Sequence, residues 1–150
     1  MAITITSDAF PAHGAIPQKY TGEGADVSPP LAWRGVPPGT KELALICDDP
    51  DAPTPTPWVH WVVYHIPPMQ TGLSEGARQN LTEGQNDFHQ TGYNGPMPPP
   101  GHGLHHYHFH LYALETALLA SPGLTKEQLL NAMRGHILAE GELVGTYKRT

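Results

Sequence analysis

The apolar positions of this chain fall into short runs broken by proline and glycine, and most runs carry the two-residue period of a strand. Ile3 to Thr6 reads as a brief strand rich in β-branched residues. Residues 11–40 read mostly as loop, because Pro29-Pro30 and Pro37-Pro38 forbid regular helix. Glu42 to Cys47 is apolar enough for a strand buried on both faces. Trp58 to Ile66 predicts a second central strand. Strict alternation puts Trp58, His60, Val62, Tyr64 and Ile66 on one face and Val59, Trp61, Val63 and His65 on the other. Residues 67–103 form a long turn-rich stretch, which favours an ordered functional loop at Tyr93 to Pro100. Leu104 to Leu114 has two distinct faces: His105, Tyr107, Phe109 and Leu111 against His106, His108, His110 and Tyr112. One helix is expected near residues 125–138. Thr125 is its N-cap, Gln128 completes a capping box, and Leu129, Leu130, Met133 and Ile137 form its apolar face. Leu143 to Tyr147 predicts a last strand. The sum is a mainly β chain, a β-sandwich with helical decoration, folded as one domain over residues 1–150.

Composition narrows the classes. The chain has 150 residues, with 16 glycines and 17 prolines, so short elements joined by many turns are expected and a helical bundle is not. Acidic side chains number 14 against 8 basic ones, and the net charge is −6. The basic residues never cluster, so no nucleic-acid surface is expected. No apolar run approaches the ~20 residues that cross a bilayer. The start, Met1-Ala2-Ile3-Thr4-Ile5-Thr6, has no basic segment followed by an apolar one, so no secretory signal is expected. The single cysteine, Cys47, ends an apolar run and reads as a small buried hydrophobe. A reducing cytoplasm suits all of this.

The residues with chemistry to offer are concentrated in three places. Asp48-Asp49-Pro50-Asp51-Ala52-Pro53 follows a buried strand, and its prolines hold the carboxylates in one geometry. His60 lies beside Trp58 on the next strand, and His105 shares a strand face with Tyr107. If these strands are neighbours, Asp49, His60, His105 and Tyr107 converge on a small polar pocket with Trp58 as an apolar wall. Imidazoles and a phenol there suit an anionic headgroup such as phosphate or carboxylate. The stiff loop from Gly92 to Gly101 lacks the residues of a phosphate-binding P-loop. His106, His108 and His110 share one strand face and could gather around a metal. No cysteine or well-spaced carboxylate completes a tetrahedral set, so the expectation is a histidine-rich outer or interface face with no metal and no cofactor.

Ser28-Pro29-Pro30-Leu31, Asp48-Asp49-Pro50-Asp51-Ala52-Pro53, Trp58-Val59-His60-Trp61, Gly95-Pro96-Met97-Pro98-Pro99 and His105-His106-Tyr107 occur in that order. Together they resemble the phosphatidylethanolamine-binding protein family, which includes the Raf kinase inhibitor protein, and in particular its short prokaryotic branch. The ending from Ala139 to Tyr147 resembles that branch as well. The resemblance implies two packed antiparallel sheets with Greek-key connections. It implies an anion pocket at one end, from residues matching Asp49, Trp58, His60, Gly95, Pro96, His105 and Tyr107. It further implies phosphate or phospho-headgroup ligands, a kinase or protease as a protein partner, and a homodimer.

The leading expectation is therefore a small soluble binding protein without stable membrane insertion. In it, His60, His105 and Tyr107 donate to the anion, Asp49 orients an imidazole and could pair with a ligand ammonium, and Trp58 supplies the wall. The alternative is an enzyme using the same histidines and carboxylate for acid–base chemistry. No nucleophile elbow, Walker motif or zinc-protease helix accompanies them.

Overall fold

The computed structural model describes residues 2–150; Met1, the first residue of the N-terminal stretch read above, lies outside them. Within them the elements run β1 (Ala2–Thr6), β2 (Leu31–Arg34), β3 (Glu42–Asp49), β4 (Trp58–Ile66), β5 (Gly72–Leu73), β6 (Thr82–Glu83), β7 (His105–Leu114), α1 (Lys126–Met133) and β8 (Ile137–Tyr147). The strand order is β5-β2-β1-β8-β7-β3-β4-β6. β1 is the corner of this sheet. Ala2 and Ile3 pair with β8, whereas Thr4 to Thr6 pair with β2. The short β1–β2–β5 layer therefore folds over the larger layer. Ile3, Ile5, Leu31, Trp33 and Leu73 from the former share one core with Leu43, Leu45, Trp61, Phe109 and Leu111 from the latter. The pairing is antiparallel except between β1 and β8, which run parallel. The other face of the large layer carries Ala44, Ile46, Val59, Val62 and Tyr64, and α1 covers it with Leu129 and Met133.

Most elements fall where the hydrophobic pattern puts them, with three instructive exceptions. β2 is a strand inside the stretch read as loop, bracketed by the proline pairs; only Leu31 and Trp33 alternate inward, too short a signal to read. The helix has its Thr125–Gln128 capping box but stops at Met133. Ile137, assigned to its apolar face, instead opens an eleven-residue β8 and is 37% exposed. The third exception is a bulge in β4. Asp48 pairs with Val59 while the preceding Cys47 pairs with Trp61, so His60 is the extra residue. Strict alternation is lost there, and again at a second register shift before Ile66: Trp61, Val63 and Ile66 face the main core, and Val59, Val62 and Tyr64 face α1. No helix among the described residues is long and apolar enough to cross a membrane.

Glu42, at the start of β3, is a buried carboxylate with three donors. It accepts hydrogen bonds from the backbone N–H of His65 (2.9 Å), the His65 ring Nδ1 (2.9 Å) and the backbone N–H of Leu118 (3.1 Å). Burial lowers the proton affinity of His65, but its bonds to the Ala120 carbonyl and to Glu42 outweigh this, and its pKa lies above the ordinary 6.5. A raised folded value means that the contribution is complete below about 6.5 and fades as pH rises through the folded value. His65 sits at φ +57, which asparagine tolerates. The stability advantage of the natural chain over His65→Asn, measured by urea unfolding, is expected to be larger at pH 6 than at pH 8.5. A difference that is flat with pH would refute the assignment.

Candidate functional site

The ends of β3, β4 and β7 meet around a cavity of about 230 Å³. β3 lies between the other two strands, so Asp49 at its end is flanked by Trp58 and His60 from β4 and by His105 and Tyr107 from β7. The bulge matters here, because it puts Trp58 and His60 on the same side of the sheet as the core residue Trp61, where Tyr107 also lies.

Five of the seven residues expected at the site line this cavity: Asp49, Trp58, His60, His105 and Tyr107. Gly95 and Pro96 do not. They clamp the loop that forms one wall. The Gly95 N–H donates to the Asp26 carboxylate (2.7 Å), and the Pro96 carbonyl accepts from the Gly22 N–H (2.9 Å). The wall itself is made by Met97, Pro98 and Pro99, and the opposite side by Ala52, Pro53 and Thr54 of the aspartate–proline loop. Sequence reading also missed Phe88. Its ring stands edge-on to both Trp58 (centroids 5.5 Å apart) and His60 (5.4 Å). Phe88 is the one aromatic in a polar stretch, and buried Asn86 orders that stretch by accepting from the N–H groups of Phe88 and Gln90.

The two cavity histidines are held in different ways. His60 Nδ1 donates to the Asn94 carbonyl (2.6 Å). Burial lowers its pKa below 6.5, even though the Asn94 bond and the charge of Asp49 pull the other way. The neutral ring with its proton on Nδ1 leaves Nε2 as an acceptor. His105 Nδ1 donates to the Asp49 carboxylate (2.6 Å), and both side chains are almost fully buried. Its Nε2 is also taken: it lies 2.6 Å from Nδ1 of His102. His102 is exposed and sits between Gly101 (φ +71) and Gly103 (φ +95). His105 therefore has no free ring nitrogen, and a ligand reaches Nε2 only by displacing His102. Asp49 is likewise committed, since its second oxygen accepts from the Asp51 N–H (2.8 Å). Burial first, and then the neighbouring Asp49, push the Tyr107 phenol far above its ordinary pKa. It remains a protonated O–H donor.

Each aspartate of the motif takes a different histidine of β7. Asp49 holds His105, Asp51 holds His106 through both ring and backbone, and Asp48 holds His110. Burial would raise the Asp48 carboxyl, but hydrogen bonds from His110 and Lys126 keep it below its usual value. The motif is thus a strap that ties the end of β3 to β7.

Comparisons of the chain and of its fold with known proteins point to one family. A family profile described as phosphatidylethanolamine-binding protein matches residues 6–148. A UPF0098 protein of Methanothermobacter thermautotrophicus is 48% identical, with 98% of this chain and 99% of that protein covered. The crystal structure of a phosphatidylethanolamine-binding protein homologue from Chlamydia trachomatis superposes with a TM-score of 0.93 at 43% identity, covering 99% of each chain. YbcL of E. coli, described as a member of the mammalian family, superposes at 0.92 with 30% identity over the whole of both chains.

Proposed function

This chain belongs to the phosphatidylethanolamine-binding protein family, and on that basis we propose that its cavity binds a phosphate group, free or as the phosphodiester of a small headgroup. The observation that carries the reading is the pairing of a protonated phenol on Tyr107 with the neutral His60 ring in one small cavity. Tyr107 donates to a phosphoryl oxygen. His60 accepts from a protonated phosphate oxygen, or takes up a proton and donates. The first route reverses the donor role expected from the sequence, and the second keeps that role but requires proton uptake on binding. His105, Asp49 and His102 form the supporting frame, and Trp58, Phe88 and Pro98 keep water from the ligand. The rim at Pro53, Thr54, Met97 and Pro99 is where a kinase or protease partner would meet the filled cavity.

An enzymatic role finds less support. The Asp49–His105 pair has acid–base geometry, yet the lining offers a single hydroxyl of the nucleophile type, Thr54, and that hydroxyl donates to the Thr56 carbonyl.

A phosphodiester probe isolates the His60 proton, because its own charge is constant near neutrality. Glycerophosphoethanolamine, titrated against the protein and followed through the His60 and His105 ring signals by NMR, is expected to bind more tightly at pH 6 than at pH 8. His60→Ala should abolish that dependence. Binding that does not perturb His60, or a pH dependence that survives His60→Ala, would overturn the proposal.

A further inference from the structure

On the opposite face of β7 from the cavity, His108 and His110 stand two residues apart with nearly parallel rings (14° between planes, centroids 5.8 Å apart). Glu142 on β8 is the cross-strand partner of His110. Both imidazoles aim the same nitrogen at one carboxylate oxygen: Nδ1 of His108 lies 3.1 Å and Nδ1 of His110 3.4 Å from Oε2 of Glu142. One donor atom from each of the three residues falls within 4.8 Å of the others. The carboxylate missing from the linear spacing of the histidines is supplied by strand register.

We propose that His108, His110 and Glu142 form a binding site for a divalent transition-metal ion of the zinc class, independent of the phosphate cavity. Two imidazoles and one carboxylate suit zinc, nickel or copper, whereas magnesium and calcium require oxygen donors throughout. The separations match the edge of a small coordination polyhedron, given metal–nitrogen distances of about 2.0–2.1 Å. A second feature points the same way. The far nitrogen of His110, Nε2, faces Asp48 Oδ1 at 3.2 Å, and the other Asp48 oxygen accepts from Lys126 Nζ at 2.7 Å. A carboxylate behind an imidazole fixes its proton on the far nitrogen and presents the near lone pair to an ion. The three ligand side chains are between a quarter and a half exposed, so an ion can enter and water can complete its shell.

His106 provides an internal control. It shares the strand face, but its Nδ1 is bound to Asp51 (2.7 Å) and it is outside the cluster. Metal-free protein titrated with zinc chloride in a calorimeter is expected to take up one ion per chain at this site. Cobalt(II) should give the visible bands of a low-coordinate nitrogen–oxygen site. His108→Ala, His110→Ala and Glu142→Gln should each weaken zinc at least about tenfold, while His106→Ala leaves it unchanged; circular dichroism verifies that every variant is folded. Absence of uptake would overturn the proposal. So would equal weakening by His106→Ala, which would mark adsorption to a histidine-rich surface, or uptake indifferent to all three ligand substitutions.

Discussion

Asp49→Ala is expected to destabilise the protein by about 3 kcal/mol and to abolish phosphodiester binding. The carboxylate is buried, and both its oxygens are engaged, one by His105 Nδ1 and one by the Asp51 N–H. Truncation leaves a buried imidazole N–H and a loop N–H without acceptors, and that loss of partners outweighs the few methylene-sized contacts removed. At this chain length the expected fall in melting temperature is roughly 6–12 °C. Asp49→Asn separates charge from shape. Its single carbonyl can serve only one donor, so its amide must face either the Asp51 N–H or His105 Nδ1. The first arrangement opposes two donors. The second forces the His105 proton to Nε2. Either way a smaller loss, about 1–2 kcal/mol, is expected, together with a shifted His105 ring signal. Thermal unfolding of the two variants checks both statements. A loss below about 1 kcal/mol for Asp49→Ala would mean that the pair is not a structural tie.

That tie explains which parts of the site could be read from the sequence. The alternation of β7 is uninterrupted, so His105 and Tyr107 were placed inward and His108 and His110 outward from the pattern alone, and burial along β7 alternates accordingly. β4 has the boundaries its apolar run predicts, but its face assignment fails at His60 and at Ile66, because register shifts leave no mark on a run that is apolar on both sides. The convergence of Asp49, His60, His105 and Tyr107 was legible because strands adjacent in a sheet bring their ends together. The pairing within the set was not, since Asp49 had a histidine on either side and register decides that it holds His105. Phe88 and Glu142 share one reason for being missed: each acts through a contact made across a loop or a neighbouring strand, and the local period of a sequence does not encode such partners. His102 is only three residues from His105, but the turn that joins their rings runs through Gly101 and Gly103 at positive φ, outside any strand period. The resemblance implies Gly95 and Pro96 as pocket residues; in the structure their backbone groups are spent on the chain itself, at Asp26 and Gly22.

Gly95→Ala is accordingly expected to cost about 2–4 kcal/mol and to weaken phosphodiester binding at least several-fold, although Gly95 does not line the cavity. A β-carbon at this position would fall on the Tyr20 carbonyl oxygen and would crowd the Asp26 Oδ1 and Tyr93 hydroxyl oxygens, each at 2.9 Å. None of the three can yield cheaply. Tyr20 O accepts from the Tyr93 hydroxyl (2.6 Å), Asp26 Oδ1 accepts from the Gly95 N–H itself, and Asp26 is already held at φ +58. The loop must therefore move away from the segment around residues 20–26, breaking the Gly22–Pro96 bond as it goes. Because Met97, Pro98 and Pro99 follow directly, the displaced segment carries a cavity wall with it. Met97→Ala gives the contrasting case, because its side chain lies on the rim and is 39% exposed. It should change stability by less than about 1 kcal/mol, as exposed positions do. Urea unfolding and glycerophosphoethanolamine titration of the two variants distinguish a clamp from a contact: stability and affinity fall together in Gly95→Ala, whereas Met97→Ala leaves stability in place. An alanine at residue 95 that keeps both within error would show that the loop is not anchored through this glycine.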